Sequence, residues 1–332
     1  MIRRFFRMGP PIPATSEVVP PPGGSSPGDA SLRDALRAWL GGLELREALR
    51  EKDALLVSLE LAGERGRPYT LLHEAIAAGT AVVDERGSGS VNNLSITNKD
   101  DAPVLVLEGE IVVGAKQNRT LTETLLVAPG ATVPVRVGCV ERGRWDAANT
   151  PFTSGKHSME PSARRSTIKE MATIGTVNQA RLWEDVAARS EDFAASSPTG
   201  DYHVAAEAPV ERAREIVTQV PDSPTRVGMM VLLGDRFVGM DVVSHPRTWG
   251  SLAPRLLPSY FVGIDVMRRH PGLLRSTARA TAAEWLSAAT LGDVHAAPSA
   301  GLGDRIVVRS GTMNGAGLWH ADHPAHLAIF AD

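Results

Sequence analysis

Apolar positions from Ser31 onward recur at helical and at strand spacings, which indicates where the first secondary-structure elements lie. Leucine and alanine repeat at helical spacing between Ser31 and Arg50, and this predicts one helix over that range. The apolar run that ends at Gly63 is typical of a buried strand. A short helix is then predicted, with Thr70 as its N-cap and Gly79 just beyond its end.

Strands and turns dominate the next segment of the chain. Between 81 and 114, apolar stretches are separated by a Gly-Ser turn and an Asn-Lys-Asp-Asp turn, which predicts a meander of strands. Pro129 and Gly130 suit the central positions of a type II turn, because proline holds φ negative and glycine accepts a positive φ. They predict a hairpin, whose second strand buries the face that carries Val133, Val135, Val137 and Cys139.

Helices become more frequent in the second half of the chain. The pattern predicts helices from about Ser162, near 210–218, at 259–269 and at 271–289, the last with Trp285 and Leu286 on its buried side. A tight hairpin is predicted at Gly234-Asp235, and short strands close the chain. Since the strands come in antiparallel runs rather than βαβ units, the sequence predicts an α+β fold. Its N-terminal half would be antiparallel and β-rich, and its C-terminal half would combine helices with short strands.

The first part of the chain differs in composition from the rest. Residues 1–30 are rich in proline, glycine and serine, and they predict a disordered tail. Residues 31–332 form the expected globular domain. A change of pattern near residue 160 would divide that domain into a β-rich lobe (31–160) and a mixed α/β lobe (161–332).

Composition and charge narrow the classes of partner. The chain has 332 residues, of which 43% are hydrophobic and 22% charged, so it can bury a full core without disulfides. Its formal net charge of −3 provides no general attraction to nucleic acid or to anionic lipid. The chain has a single cysteine, Cys139, and no continuous apolar stretch long enough to span a bilayer. These features favour a cytoplasmic protein with neither a nucleic-acid nor a membrane partner.

Common catalytic and metal-binding motifs are mostly missing from the sequence. The GSGSVN segment at Gly87 lacks the third glycine of a dinucleotide-binding fingerprint and is interpreted as a turn. His320, His323 and His326 could bind a transition metal, but no further ligand has a suitable spacing. The favoured interpretation is therefore a polar hairpin tip without a metal. Cys139 is interpreted as a packed apolar residue rather than a nucleophile.

One polar segment interrupts strands that otherwise have the pattern of a core. Glu108 and Glu110 keep the alternation of Val104 and Val106, so a strand that continued through them would bury both carboxylates. The cations and amides that could satisfy them follow within a few residues: Lys116, Gln117, Asn118 and Arg119. One interpretation is an internal salt-bridged network that serves as a scaffold.

The second interpretation is a ligand pocket made from the same groups. Arg119 and Arg144 would bind phosphate through their guanidinium forks, Trp145 would stack on a ring, and a glutamate would act as a general base. Segments 116–119 and 141–145 should lie side by side, since both flank the open end of the predicted hairpin.

Basic residues at the start of the helix near Ser162 could extend this pocket. Arg165 and Lys169 share a helix face, with Arg164 adjacent, and they would provide a phosphate-facing edge. The alternative is a solvated helix face.

Three segments of the chain, LEGEIVVGAKQNRTL, VPVRVGCVERGRW and NQARLWEDV, resemble a known family. It is the ARG and rhodanese-phosphatase-superfamily-associated protein family, which is named for its association with ADP-ribosylglycohydrolases. The likeness extends from about Leu55 to the closing strands. Ile111 and Val112 depart from the family pattern, where a more acidic, leucine-bearing pair is expected.

The resemblance implies a protein that binds or processes ADP-ribose or another NAD-derived nucleotide. Its catalytic residues would be Glu108, Glu110 and Lys116. Its ligand-binding residues would be Gln117, Asn118, Arg119, Glu141, Arg144 and Trp145, and the basic residues at the helix start near Ser162 would add Arg164 and Arg165. The resemblance assigns no cofactor, and a non-catalytic module that binds a ligand or a protein stays open as the alternative.

Overall fold

The computed structural model describes residues 27–85, 92–144, 150–195, 197–274 and 278–331. The helices are α1 (Pro27–Gly41), α2 (Leu72–Ala77), α3 (Pro161–Ile174), α4 (Gln179–Asp192), α5 (Tyr202–Val217), α6 (Pro246–Arg269) and α7 (Ala282–Thr290), with a 3-10 turn at Pro271–Leu273. The strands are β1 (Leu43–Glu51), β2 (Ala54–Leu61), β3 (Thr70–Leu71), β4 (Ala81–Glu85), β5 (Asn93–Asn98), β6 (Val104–Val106), β7 (Glu110–Val113), β8 (Arg119–Leu121), β9 (Leu125–Val127), β10 (Thr132–Cys139), β11 (Thr153–Ser158), β12 (Arg226–Leu233), β13 (Arg236–Val242), β14 (Asp293–Pro298), β15 (Asp304–Ser310), β16 (Met313–His320) and β17 (His323–Ala331). The predicted α+β class is confirmed.

An eight-stranded antiparallel sheet forms the largest element of the fold. Its strand order is β1-β2-β12-β13-β17-β16-β15-β14. The hairpin predicted at Gly234-Asp235 is confirmed, because β12 and β13 pair directly on either side of it. Strands β1 and β2 pair with β12, so this sheet joins strands from both sides of residue 160.

The eight-stranded sheet is buried on both faces. One face packs with α1 and α7 in a core that includes Leu40, Phe237, Trp285 and Leu286. The expected burial of Trp285 and Leu286 is thereby confirmed. The other face contributes to a larger core, in which Phe330 and other residues of the sheet pack with buried residues of the helices α3, α4, α5 and α6.

Two smaller sheets lie beside this framework and hold the polar segment. A six-stranded sheet has the order β11-β7-β8-β10-β5-β4, and a three-stranded sheet has the order β3-β6-β9. They share a third core, to which β10 contributes the valines predicted to point inward, Val133, Val135 and Val137. Cys139 is also buried.

The first predicted helix is wrong in its second half. The helix α1 ends at Gly41, and residues 43–51 form the strand β1. This strand pairs with β2 from Leu43 opposite Leu61 to Glu51 opposite Ala54. Backbone pairing with a buried neighbour therefore overrides the helical spacing of the leucines. The short helix α2 also starts later than predicted, with Leu71 rather than Thr70 at its N-cap.

The predicted meander and the predicted hairpin are each only partly correct. The β4–β5 pair forms, whereas β6 pairs with β3 and β9 in another sheet. The Gly-Ser turn between β4 and β5 lies outside the described residues. The turn at Pro129-Gly130 exists, with Ala131 N donating to Ala128 O at 3.1 Å and φ of Gly130 at 67°. Its two strands do not pair with each other, because β9 joins β6 while β10 joins β5 and β8.

The strand predicted to continue through Glu108 and Glu110 is interrupted between them. Strand β6 ends at Val106 and β7 begins at Glu110. Gly109 lies between the two carboxylates with φ at 78°, a left-handed conformation that reverses the chain at low cost only for glycine. Glu108 and Glu110 therefore project into different surroundings.

The helices of the second half begin and end differently from the pattern. The helix from Ser162 is split at Gly175 into α3 and α4, and α5 begins at Tyr202. The helix α6 begins at Pro246, earlier than predicted, and contains two inner prolines. Because proline usually interrupts a helix, the sequence pattern did not indicate the first half of α6. Among the described residues, no helix is both long and apolar enough to cross a membrane.

Candidate functional site

The sequence-predicted polar residues do not meet in one place. They separate into one fully buried network, one partly buried network and Glu110, which lies behind a cleft, because Gly109 and the sheet topology send neighbouring side chains in different directions. We name these the Arg164 network (Glu108, Thr124, Arg164, Asp241, Tyr260 and His326), the Arg144 network (Asn118, Glu141, Arg144, Thr199 and Asp201) and the Arg255 cleft.

The Arg164 network is an internal ion cluster closed to solvent. Arg164 is 1% exposed. Its Nε donates to Glu108 Oε1 at 2.9 Å, and its Nη1 and Nη2 donate to the two oxygens of Asp241 at 2.9 and 2.7 Å. Its guanidinium also lies 4.9 Å from the centre of the Phe330 ring. The predicted role of Arg164 at a phosphate-facing edge is not supported by these contacts, since its guanidinium N–H groups already donate to two carboxylates.

Three further side chains add hydrogen bonds to this network, in which Glu108 Oε2 has no partner among the described residues. Tyr260 donates its hydroxyl to Asp241 Oδ2 at 2.6 Å, and His326 Nε2 lies 2.8 Å from Asp241 Oδ1. The hydroxyl of Thr124 lies 3.1 Å from His326 Nδ1. Burial opposes ionisation of Asp241, but Arg164 and His326 outweigh it and hold its pKa below the ordinary value.

Arg165 is buried as well and lies apart from the Arg164 network. Its Nη1 donates to the backbone carbonyls of Leu273 and Ala331 at 2.8 and 3.1 Å. Lys169, on the same helix face by spacing, is exposed. At the helix start, Arg164 and Arg165 are therefore buried, and of these three basic residues Lys169 alone is exposed to solvent.

The Arg144 network gathers the second polar segment around one carboxylate. Arg144 Nη2 donates to Glu141 Oε2 at 2.7 Å and to Asn118 Oδ1 at 2.9 Å. The backbone N–H of Asn118 donates to Glu141 Oε2, and its side-chain amide donates to Asp201 Oδ2 at 2.9 Å. Burial alone would raise the pKa of Glu141, but hydrogen bonds from Arg144 and Thr199 leave it below the ordinary value.

The side-by-side placement of segments 116–119 and 141–144 is confirmed. Val140 N donates to Asn118 O at 3.1 Å, next to the Asn118–Glu141 bond. The cause differs from the predicted hairpin: β8 pairs directly with β10, with Arg119 opposite Cys139. Trp145 lies outside the described residues.

The remaining members of the AKQNR segment are also turned inward or paired. Arg119 is 0% exposed, and its Nη1 donates to Gln117 Oε1 at 2.9 Å. The ammonium of Lys116 lies 3.6 Å from Glu85. Burial raises the pKa of the Cys139 thiol to about 11, so the thiol stays protonated near neutral pH, as expected of a packed residue.

Glu110 occupies a different environment, below the Arg255 cleft. Its carboxyl is 5% exposed and accepts a hydrogen bond from the hydroxyl of Ser154 at 3.3 Å. Arg255 Nη2 in turn donates to that hydroxyl at 2.7 Å. Burial raises the pKa of Glu110 to about 7, against the opposing influence of Arg255 and Ser154. Of the three residues predicted to be catalytic, Glu110 therefore has a pKa suited to proton transfer near neutral pH.

The Arg255 cleft has a volume of about 790 Å³ and lies between β11, α5, α6 and the start of β12. Apolar atoms of Val217, Trp249 and Leu257 form part of its wall. Four cationic side chains line it: Lys156, Arg214, Arg226 and Arg255. Asp222 is the one carboxylate among its described lining residues.

Arg255 differs from the other cations of the cleft in its partners. Lys156 pairs with Glu207 at 3.0 Å, Arg214 with Glu211 at 2.9 Å and Arg226 with Glu60 at 3.8 Å. In the described part of the chain Arg255 forms no direct ion pair, and the acid whose charge acts on it is Glu110, behind Ser154. Its half-buried guanidinium is thus the cation best placed to receive an anion.

The arrangement of the cleft could not be foreseen from the sequence. Its cations come from separate elements, and each stands alone in its local pattern, so only the tertiary structure brings them together. The Arg144 network contacts α5 at its N-cap, Asp201, whereas Arg214 lies in its last turn. The two sites are therefore roughly 20 Å apart along the helix, at 1.5 Å per residue.

The three C-terminal histidines do not converge. His320 Nδ1 lies 2.7 Å from the hydroxyl of Tyr69, His323 is at the hairpin tip, and His326 belongs to the Arg164 network. Among the described residues, no group of three or more histidine, cysteine or acidic side chains is placed to hold a metal ion.

Comparison with known proteins identifies the family. The model of the ARG and rhodanese-phosphatase-superfamily-associated protein domain, ARPP-1, matches residues 42–330. The chain belongs to the ARPP-1 family. No curated protein and no solved structure matches it. The ARPP-1 match contains both buried networks and the Arg255 cleft, so all of these features lie within the family domain.

The third family segment, NQARLWEDV, has a structural role at the ARPP-1 polar region. Asn178 caps α4 by accepting from Arg181 N. Gln179 exchanges two hydrogen bonds with the backbone of Cys139, each 2.8 Å long. This amide fastens α4 to the end of β10, just before Glu141.

Proposed function

We propose that this ARPP-1 domain binds ADP-ribose or another NAD-derived nucleotide, and that the ligand lies in the Arg255 cleft. The observation that carries the proposal is Arg255 itself, a half-buried cation that lines the cleft and has no direct ion pair in the described part of the chain. A guanidinium in such a position can bind phosphate through two parallel hydrogen bonds.

The size and lining of the cleft support a ligand with both a charged and an apolar part. A volume of about 790 Å³ is within the range typical of small-molecule sites. Cations on several sides suit a diphosphate, and the apolar wall around Trp249 and Leu257 suits a ring. A nucleotide has both components.

The family supports an NAD-derived ligand over other nucleotides. ARPP-1 domains are described by their association with ARG proteins, the ADP-ribosylglycohydrolases, and with the rhodanese-phosphatase superfamily. An association does not assign chemistry, so the proposal concerns binding first. Processing of the ligand would also require a group that transfers a proton. Of the residues predicted to be catalytic, Glu110 fits this role best, because its pKa is about 7.

The test is calorimetric titration of the full chain with ADP-ribose and with NAD, alongside adenosine as a ligand without phosphate. The variant Arg255→Gln keeps a polar side chain beside Ser154 but removes the charge. We expect it to lower the affinity for ADP-ribose by about tenfold or more, since a hydrogen bond to a charged group contributes roughly 1.5–3 kcal/mol. The matched control is Arg212→Gln, at an exposed position of the same helix as Arg214 and outside the cleft.

Each outcome decides between the candidate sites. Binding that survives in Arg255→Gln and is lost in Arg144→Gln would return the ligand to the Arg144 network predicted from the sequence. Absence of binding by wild-type protein, for both nucleotides, would favour the alternative of a scaffold module without a nucleotide ligand. Melting temperatures of each variant establish that the folded state is retained.

A further inference from the structure

We propose that Glu110 is a positioning residue of the Arg255 cleft, which holds the guanidinium through Ser154 and takes up a proton when an anion binds there. This inference rests on the proposed function and adds a proton-linked group to the same site. Glu110 itself does not line the cleft, and it acts through Ser154 and Arg255.

The hydrogen bonding of Glu110 is sparser than that of Glu141 and of Glu108, although Glu108 Oε2 also has no hydrogen-bond partner in the described part of the chain, because Glu108 Oε1 accepts directly from Arg164. Glu141 accepts from Arg144, Thr199 and the backbone of Asn118, and it is thus fully engaged as an anion. The carboxyl of Glu110 accepts one 3.3 Å bond from Ser154, and its Oε2 has no hydrogen-bond partner in the described part of the chain. Buried carboxyl groups are normally satisfied, so this sparse environment needs an explanation other than structural support.

The bridge through Ser154 connects Glu110 to the cleft. Strand β11 carries Ser154 opposite Val112 of β7, the strand that begins with Glu110. Ser154 receives a hydrogen bond from Arg255, which comes from α6 and lines the cleft. An ionised Glu110 thus draws Arg255 inward, whereas a neutral Glu110 leaves the full guanidinium charge to a ligand.

Charged and titratable groups surround this bridge on every packed element. Arg255 interacts electrostatically with His73 of α2, His157 of β11, and His203 and Arg214 of α5, while Lys156 and Glu207 act on the histidines of this group. Burial lowers the pKa of His73 to about 4 and that of His157 to about 3, and it also lowers the pKa of His203. These histidines are neutral near pH 7, where Glu110 is the group of this cluster that changes charge.

The proton linkage follows from electrostatics. An anion bound to Arg255 cancels the positive charge that favours ionised Glu110 and adds negative charge nearby. Both effects favour the protonated form of the Glu110 carboxyl. At a pH above the pKa of Glu110, binding of the anion is therefore accompanied by proton uptake. The affinity should fall by up to about tenfold for each pH unit above that pKa.

Calorimetry in two buffers of different ionisation enthalpy measures this uptake directly. ADP-ribose is the probe, because its diphosphate is a diester that does not titrate near neutral pH. We expect wild-type protein to take up a fraction of a proton per ligand at pH 7, at most the ionised fraction of Glu110 in the free protein. Glu110→Gln should bind without proton uptake, and its affinity should not fall between pH 6.5 and about 8.5. The control Asp185→Asn, at an α4 carboxyl whose pKa burial also raises, should keep the wild-type uptake.

A second measurement tests the coupling without a nucleotide. In protein carrying ¹³C in its glutamate carboxyl groups, the Glu110 signal is the one absent from Glu110→Gln. Its titration midpoint should rise by about one unit or more in Arg255→Gln, because a neighbouring cation is removed. In wild-type protein, the midpoint should rise when sodium sulfate replaces chloride at equal ionic strength.

The two experiments separate the failure of this inference from the failure of the proposed function. Unchanged proton uptake in Glu110→Gln would overturn the role of Glu110 and leave nucleotide binding intact. Failure of ADP-ribose to bind would count against the proposed function, and the carboxyl titration would then decide this inference. A Glu110 midpoint that responds neither to Arg255→Gln nor to sulfate would overturn it.

Discussion

At the scale of single residues, Arg164 connects more of the molecule than any local pattern suggests. It bridges Glu108, 56 residues earlier, and Asp241, 77 residues later. A buried guanidinium between two carboxylates is stable only when close hydrogen bonds offset the desolvation of the charges, which is large. The planar fork of arginine meets this need, and a single ammonium does not.

We therefore predict a large loss of stability in Arg164→Lys. Lysine keeps the charge but cannot bridge both carboxylates, so the free energy of unfolding should fall by roughly 3 kcal/mol. Urea denaturation of the variant and of wild-type protein measures the difference. Arg212→Lys, at an exposed position of α5, should change stability by less than about 0.5 kcal/mol. Equal effects of the two substitutions would contradict a structural role of the Arg164 network.

At the scale of elements, the turn between β6 and β7 decides which side chains meet. Gly109 has a φ of 78°, and a Cβ added there would lie 2.9 Å from Cδ and Cγ of Arg164. Its backbone is held on both sides, since its N–H donates to Leu121 O and its carbonyl accepts from Met159 N. The turn sends Glu108 to Arg164 and Glu110 to Ser154.

The variant Gly109→Ala should be destabilised by two separate effects. The left-handed conformation costs an alanine about 1 kcal/mol or more, and the contact with the confined Arg164 side chain adds to this. Gly79→Ala is the matched control, because Gly79 has a φ of 73° with open space around the added methyl group. Chemical denaturation should show a loss for Gly109→Ala that exceeds the loss for Gly79→Ala by at least about 1 kcal/mol. Similar losses would mean that Arg164 can move aside.

At the scale of the whole molecule, buried histidines link stability to pH. His157 is 2% exposed, and its ring stacks on that of His203 at 4.6 Å. Burial, with the neighbouring His203 and three cations, lowers the pKa of His157 to about 3 in the folded protein. For a base with a lowered pKa, the stabilising contribution is fully present above the unfolded pKa of 6.5 and is lost as pH falls towards the folded value.

This linkage predicts that wild-type protein loses stability in acid faster than His157→Gln. Each pH unit below the unfolded pKa costs about 1.4 kcal/mol per group, so the difference between the two proteins should change by roughly 2 kcal/mol from pH 7 to about 4.5. Urea denaturation at several pH values measures both slopes. Parallel curves would show that His157 can be protonated without unfolding.

The sequence by itself determined those features that depend on neighbours within a few residues. It indicated the α+β class, the inward face of β10, the β12–β13 hairpin and the burial of Trp285. Alternation, turn residues and helical spacing record local contacts, so they suffice for such elements. The family resemblance was likewise carried by short motifs, and it is confirmed over residues 42–330.

Only the tertiary structure decided which polar groups meet. A run such as Glu108 to Arg119 has many possible partners, and the choice depends on strand pairing and on one left-handed glycine. The Ser154–Arg255 bond joins residues 101 positions apart, and the cleft cations come from different elements. Ion pairing and desolvation are set by distances through space, which spacing along the chain does not encode; the sequence therefore listed candidate groups, and folding separated them into one closed network, one partly exposed network and one cleft.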